Sequence, residues 1–129
     1  MQGSVVYNWF MPTENPNLEN ARAQMRKGLL EYCILLTIAR EEKAYASDIL
    51  KELKADNLLV VEGTLYPLLS RLKSGELLDY SWQESNAGPP RKYYHLTEKG
   101  QKSLASLNET WQELSASINS LIKKYEKDR

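Results

Sequence analysis

The chain has 129 residues with one Cys, and its 17 Lys and Arg balance its 17 Asp and Glu, so the formal net charge is zero. This length favours one domain, the single Cys33 excludes a disulfide within the chain, and no apolar run approaches the roughly 20 residues that span a bilayer. Zero net charge excludes a strongly basic field as the means of holding nucleic acid. We expect a cytoplasmic protein with no membrane partner, in which Cys33 is a buried structural thiol.

The first 40 residues divide into an irregular stretch and a helix. Residues 1–16 hold aromatic residues and prolines without a period, which indicates an irregular arm. Asn17 has the side chain of an N-cap, and a helix is expected from there to about Glu42, with Gly28 as the point of a break. Residues 29–39 are apolar on nearly every face, so this part of the helix is predicted to lie between its own domain and a partner subunit.

Two shorter helices are predicted next. The first begins near Ser47 or Asp48 and ends at Asp56-Asn57. Its inward residues are Ile49, Leu50 and Leu53.

The second short helix lies within residues 62–78. Four leucines with the i, i+3, i+4, i+7 spacing of one buried helix face predict its packing side: Leu65, Leu68, Leu69 and Leu72. Gly75 is expected to end this helix after Ser74. Pro67 is expected near its first turn, where a missing N–H is tolerated.

A β-hairpin is predicted after these helices. Residues 78–84 alternate apolar and polar side chains, with Leu78, Tyr80 and Trp82 on one face, as in a half-buried strand. The segment SNAGPP at residues 85–90 has the composition of a turn. The segment RKYYHL at residues 91–96 is then the second strand.

The last helix carries the most regular pattern of the chain. Thr97 is predicted to cap it, and Glu98 suits its positive end. Seven residues follow the 3, 4 spacing of a coiled-coil seam over three heptads: Leu104, Leu107, Trp111, Leu114, Ile118, Leu121 and Tyr125. Because one protomer offers this narrow stripe little to pack on, these residues are predicted to form a homodimer interface.

The fold class that follows is mainly α with a small β-hairpin, a winged helix-turn-helix plus a long C-terminal dimerisation helix. Three segments are similar to the PadR family of bacterial regulators, in its smaller form with one C-terminal helix. They are MRKGLLEYCILLTIAR at 25–40, EGTLYPLLSRLKSGELL at 62–78 and PRKYYHLTEKG at 90–100. The domains expected are an N-terminal arm at 1–21, a DNA-binding domain at 22–97 and the dimerisation helix at 98–129.

The resemblance implies a DNA-binding transcriptional regulator, and a ligand-responsive repressor is the form we expect. The partner is then double-stranded DNA, read by the polar face of the second short helix and by the wing. The expected DNA-binding residues are Thr64, Tyr66, Ser70, Arg71, Lys73, Arg91 and Lys92. For Arg71 the alternatives are a base contact, a phosphate contact or a solvated charge. For Tyr66 the alternative is partial core packing, and for Arg91 and Lys92 it is ordinary solvation. Where the family often has a basic residue at the wing tip, this chain has Gly88-Pro89-Pro90, which removes one phosphate contact.

Trp111 has two interpretations. It is either an apolar residue of the seam or, paired with its symmetry mate, a stacking site for a planar aromatic effector, as the resemblance implies for some members. No enzyme is expected, because His95 is the only His and no residue set suggests a metal site, a cofactor or a nucleophile. The alternative function is a winged-helix module that binds a protein and not DNA.

Overall fold

A computed structural model gives the fold and describes residues 16–128. Four helices and two strands follow in the predicted order. They are α1 (Pro16–Glu41), α2 (Ala46–Ala55), α3 (Glu62–Ser74), β1 (Leu78–Ser85), β2 (Gly88–Leu96) and α4 (Glu98–Lys127). The fold is therefore mainly helical with one antiparallel hairpin and a long last helix, as the sequence predicts.

One core joins the second half of α1 to every later element. The side chains that fill it are almost all Leu and Ile, and each contributes roughly 1.5–3 kcal/mol on burial. They are Ile34, Leu35, Ile38, Ala44, Ile49, Leu53, Leu65, Leu69, Leu72, Leu78, Tyr94, Leu96 and Leu104. Leu50 and Leu68, predicted to face inward, are half-buried at its margin.

The first helix differs from its prediction in two respects. It is unbroken through Gly28, where a Cβ would meet nothing within 4 Å. Asn17 lies inside the helix and is not its N-cap. Leu36 is 39% exposed in the single chain, so its own domain does not cover every face of the apolar stretch, and burial of this stretch against a partner subunit stays a prediction. Cys33 is half-buried, and this burial raises the pKa of its thiol.

The second helix starts slightly earlier than predicted. Its N-cap is Tyr45, and Asp48 stands in the first turn, where its carboxylate accepts the Tyr45 N–H at 3.0 Å. The predicted break at Asp56-Asn57 is confirmed, with Asn57 in the left-handed region at φ 66°.

Pro67 lies in the second turn of α3 and not near its first turn, as was predicted. The carbonyl that loses its helical donor belongs to Gly63. Both residues are exposed, so water can donate to that carbonyl. The helix ends at Ser74 before Gly75, as predicted, but the left-handed residue is Glu76, at φ 65°.

The hairpin pairs Leu78 with Leu96 at its inner end and Trp82 with Lys92 farther out. Its buried face is limited to the inner end, because Trp82 is 60% exposed. The predicted turn is too long, since residues 88–90 already belong to β2. The outer side of β2 is paired at Tyr94 with Ala44, through two N–H···O bonds of 2.8 Å.

Thr97 caps α4 as predicted and joins it firmly to the winged domain. Its hydroxyl accepts the Gly100 N–H at 2.9 Å and donates to the Glu76 carbonyl at 2.6 Å, while its own N–H donates to the Leu77 carbonyl at 3.1 Å. Gly100 is buried against Leu77, where a Cβ would overlap the carbonyl oxygen.

Beyond its first two turns, α4 extends away from the core of its own domain. Of the seven stripe residues, Leu104 is buried in that core and Trp111 is half-buried. The other five are exposed: Leu107, Leu114, Ile118, Leu121 and Tyr125. Among residues 16–128, no helix is both long and apolar enough to cross a membrane.

Candidate nucleic-acid interface

The third helix is anchored on one side and free on the other. Leu65 and Leu69 are fully buried, and Leu72 is 3% exposed. The five residues of this helix that are predicted to reach DNA are all exposed: Thr64, Tyr66, Ser70, Arg71 and Lys73. For Tyr66, which is 48% exposed, the structure favours the surface position over core packing.

A cleft of about 470 Å³ separates α3 from the wing and from the start of α2. It brings together four of the predicted residues, Tyr66 and Ser70 from α3 with Arg91 and Lys92 from β2. The floor includes Tyr94, whose phenol pKa is raised by burial and, to a smaller extent, by Tyr66 and Tyr80. The cleft is thus a polar concavity lined by two cations of the wing and by Tyr66, Ser70 and Glu62 of α3.

Arg91 is held at the start of α2. One of its terminal N–H groups donates to Ser47 Oγ at 2.5 Å, and its guanidinium lies 3.8 Å from the centroid of the Tyr45 ring. Ser47 is exposed and Tyr45 is half-buried, so the guanidinium stays at the surface.

Lys92 lies over aromatic rings of the hairpin. Its Nζ is 4.5 Å from the centroid of Tyr80 and 5.6 Å from that of Trp82. Cation–π contacts of this kind orient an ammonium group while leaving its N–H donors able to bind an anion. Lys92 thus presents a positive charge at the outer part of the wing.

Arg71 and Thr64 lie on a different side of α3, next to α1. The Arg71 Nε is 3.1 Å from Glu31 Oε1, with the two side chains 66% and 24% exposed. Thr64 lines an apolar groove with Leu30 and other residues of α1. The predicted DNA-binding residues of α3 therefore do not form one continuous surface.

Lys73 is ion-paired with the first strand of the hairpin. Its Nζ is 3.7 Å from Asp79 Oδ1, at the start of the hairpin. The N–H of Tyr80, which donates to this carboxylate at 2.8 Å, is the main cause that lowers the Asp79 pKa, and Lys73 lowers it further. Lys73 thus faces an ionised carboxylate.

The prediction from sequence missed several residues that line the cleft, among them Tyr45, Ser47, Glu62 and Trp82. Trp82 carried a signal, since a large aromatic residue near the tip of a two-stranded hairpin has little to pack on. Tyr45 and Ser47 carried none, because 44 positions separate Ser47 from Arg91.

Trp111 lies about one turn after a contact between α4 and α1. The Tyr32 hydroxyl donates to Asn108 Oδ1 at 2.6 Å. Tyr32 follows Glu31 directly, so adjacent residues of α1 contact α4 and α3.

Residues 34–106 match the sequence profile of the transcriptional regulator PadR-like family. This is more than half of the chain, and it extends from the second half of α1 through the hairpin into α4. The chain belongs to the PadR-like family. Membership makes it a transcriptional regulator and not an enzyme, and it implies DNA binding.

Solved structures of PadR-like proteins agree with this assignment. A PadR-like transcription factor of Bacteroides fragilis is 57% identical, with a TM-score of 0.69 over 79% of this chain and 98% of its own. A PadR-like transcriptional regulator of Bacillus cereus is 39% identical, with a TM-score of 0.67 over 77% and 96% of the two chains.

A sequence comparison also finds a relative. An uncharacterized protein of Lysinibacillus sphaericus is 28% identical over 101 residues, 76% of this chain and 92% of its own.

Proposed function

We propose that this PadR-like protein is a cytoplasmic repressor that binds an operator as a homodimer and leaves it when a planar aromatic effector binds. The domain division that we propose assigns DNA binding to residues 22–97 and dimerisation to residues 98–129, with residues 1–21 as an N-terminal arm. The observation that carries DNA binding is the cleft, which combines Tyr66 and Ser70 of α3 with Arg91 and Lys92 of the wing.

The cleft supports a division of labour in DNA binding. The free side of α3 is narrow and polar enough to enter a major groove. Arg91 and Lys92 lie to one side of it, as expected of groups that contact the phosphates flanking that groove. Such contacts set affinity and its dependence on salt, while base contacts from α3 set sequence preference.

The homodimer is supported by the stripe on α4. Five apolar side chains along one helix are 36–63% exposed in a single chain. Pairing with a second copy would bury them at heptad spacing. Since a twofold axis relates the two copies, the half-sites of the operator should be centred about one helical turn, or a multiple of it, apart.

The effector site is supported by the position of Trp111. It is half-buried within an otherwise mostly aliphatic stripe. Two such rings brought together by a twofold axis would offer stacking surfaces to a flat, weakly polar molecule. An effector that favours a dimer in which the two α3 helices are wrongly spaced would release the operator.

The test is operator binding by purified protein, with the operator found by selection from genomic DNA. Arg71→Ala should cost about 10- to 100-fold in affinity and some sequence preference if Arg71 contacts a base. Lys92→Ala should weaken binding to all DNA sequences. It should also reduce the salt slope, the slope of log binding constant against log salt concentration, by about one. Lys127→Ala is the matched control, because it removes the same charge from an exposed position at the far end of α4.

Two results would count against the proposal. If neither Arg71→Ala nor Lys92→Ala changes operator affinity, the DNA-facing surface has been assigned wrongly. If the unmodified protein shows no salt-dependent DNA binding, a winged-helix module that binds a protein takes precedence.

A further inference from the structure

Four side chains form a continuous stack beside the cleft. The rings of Tyr45 and Tyr93 are stacked at 4.4 Å between centroids, with 17° between their planes. The Arg91 guanidinium lies over Tyr45 at 3.8 Å, and Lys43 Nζ lies 5.1 Å from the centre of the Tyr93 ring. The order is therefore cation, ring, ring, cation.

The stack is attached to the body of the domain at Tyr45. This residue is the N-cap of α2, and its N–H is bonded to Asp48. The preceding residue, Ala44, is fully buried and makes the two backbone hydrogen bonds with Tyr94. The backbone at Tyr45 is thus held by a helix terminus on one side and by a strand on the other, and its ring stacks on Tyr93 of that strand.

Arg91 differs from the cations of α3 in its partners. Arg71 and Lys73 each face a carboxylate. Arg91 contacts a ring and a hydroxyl, and the ion pairs found among residues 16–128 do not include it. No carboxylate in that part of the chain is therefore ion-paired with it, although Glu62 also lines the cleft. Ser47 accepts one N–H, and a guanidinium has five.

We propose that Tyr45 is a positioning residue for DNA binding, which holds Arg91 in the orientation that contacts a backbone phosphate, with Ser47 as a second support. This role rests on the proposed function, because it requires Arg91 to bind DNA. Holding a long side chain in place before binding reduces the conformational entropy lost when the phosphate is bound. Because the contact is to a phosphate, the gain should be equal for all DNA sequences.

The ring and not the hydroxyl of Tyr45 should matter. Tyr45→Phe keeps the ring and should bind DNA as the unmodified protein does. Tyr45→Leu loses the contact with the guanidinium and should weaken binding about two- to fivefold, the effect of one exposed cation–π contact. Affinities are measured by fluorescence anisotropy of a labelled operator and of an unrelated duplex, at several salt concentrations.

A double-mutant cycle separates positioning from a general role in folding. If Tyr45 acts through Arg91, Tyr45→Leu should have no further effect once Arg91→Ala is present. Ser47→Ala, at an exposed position, should behave in the same way and keeps the proposal testable if Tyr45→Leu does not fold. Arg91→Ala alone should reduce the salt slope by about one.

The outcomes are distinct. An equal loss from Tyr45→Leu with and without Arg91 shows a structural role and overturns the proposal, as does a loss from Tyr45→Phe equal to that from Tyr45→Leu. Normal binding by both Tyr45→Leu and Ser47→Ala overturns the positioning role and leaves DNA binding intact. Absence of DNA binding by the unmodified protein overturns the proposed function and this role together.

Discussion

Replacement of Gly100 by Ala tests how tightly α4 is joined to the winged domain. Gly100 is in the first turn of α4 and is buried. A Cβ at this position would overlap the Leu77 carbonyl oxygen, and it would lie 3.0 Å from the carbonyl carbon and 3.1 Å from Leu96 Cδ2. The backbone at Leu77 is held by its bond from Thr97, so it has little freedom to withdraw.

Two effects of opposite sign determine the result. Ala is favoured over Gly in a helix by about 1 kcal/mol. Inserting a carbon into a packed site costs about 1–3 kcal/mol or more, and an overlap with backbone belongs at the upper end of that range. We therefore expect a net loss of about 1–2 kcal/mol from the free energy of unfolding, which lowers the melting temperature by about 3–10 °C.

Thermal and urea unfolding, followed by circular dichroism at one protein concentration, measure this difference. Gly28→Ala is the matched control, because Gly28 is also helical and a Cβ there meets nothing within 4 Å. It should stabilise the protein by about 0.5–1 kcal/mol. A Gly100→Ala protein as stable as the Gly28→Ala protein would refute the close packing at this joint.

Three further predictions follow from the exposed stripe and from the ion pair on α3. Ile118→Asp should place a charge in the seam of the proposed dimer, so sedimentation should show a monomer or an unfolded chain. Ser120→Asp, on another face of α4, should leave the dimer intact. A folded wild-type monomer at tens of micromolar would contradict this prediction. Glu31→Gln should tighten operator binding about two- to fivefold by freeing Arg71, and weaker binding would show that Glu31 supports Arg71 instead. With the other two Trp residues changed to Phe, planar aromatic dyes should quench Trp111 fluorescence saturably, each stacked pair contributing about 0.5–1.5 kcal/mol beyond the area buried. Trp111→Ala should abolish dye binding, followed in that variant by the absorbance or fluorescence of the dye itself, and leave the dimer; equal affinity in that variant would place the ligand elsewhere.

The elements of the fold could be predicted because local periods encode them. The leucine spacing in α3 and the alternation in β1 report directly which side of each element faces the core. Where these predictions were wrong, the tertiary structure overrides a local sequence signal. Gly28 has the residue type of a helix break, yet α1 continues through it, and Pro67 lies in the second turn because its side of α3 is exposed.

The contacts of the candidate interface were harder to predict from the sequence than the elements of the fold. Thr64, Tyr66 and Arg71 all lie on exposed positions of α3, but only the packing of α1 and the wing on its two sides divides them between two surfaces. Glu31 is 40 positions from Arg71, and nothing in the local pattern of either segment indicates that they meet. The contacts that distinguish one cation from another are thus set by tertiary structure.

The junction at Thr97 has a consequence for the operator. A single residue, Thr97, separates β2 from α4, and its hydrogen bonds tie the start of α4 to Glu76 and Leu77, just after α3. No flexible linker therefore lies between the proposed DNA-binding surface and the helix that is proposed to pair two copies. In the proposed dimer, the two α3 helices would therefore be held at a fixed spacing by the paired α4 helices. One base pair inserted between the half-sites turns one of them by about 35° around the duplex axis. Without a hinge between α3 and α4, the two α3 helices have no means to follow that rotation.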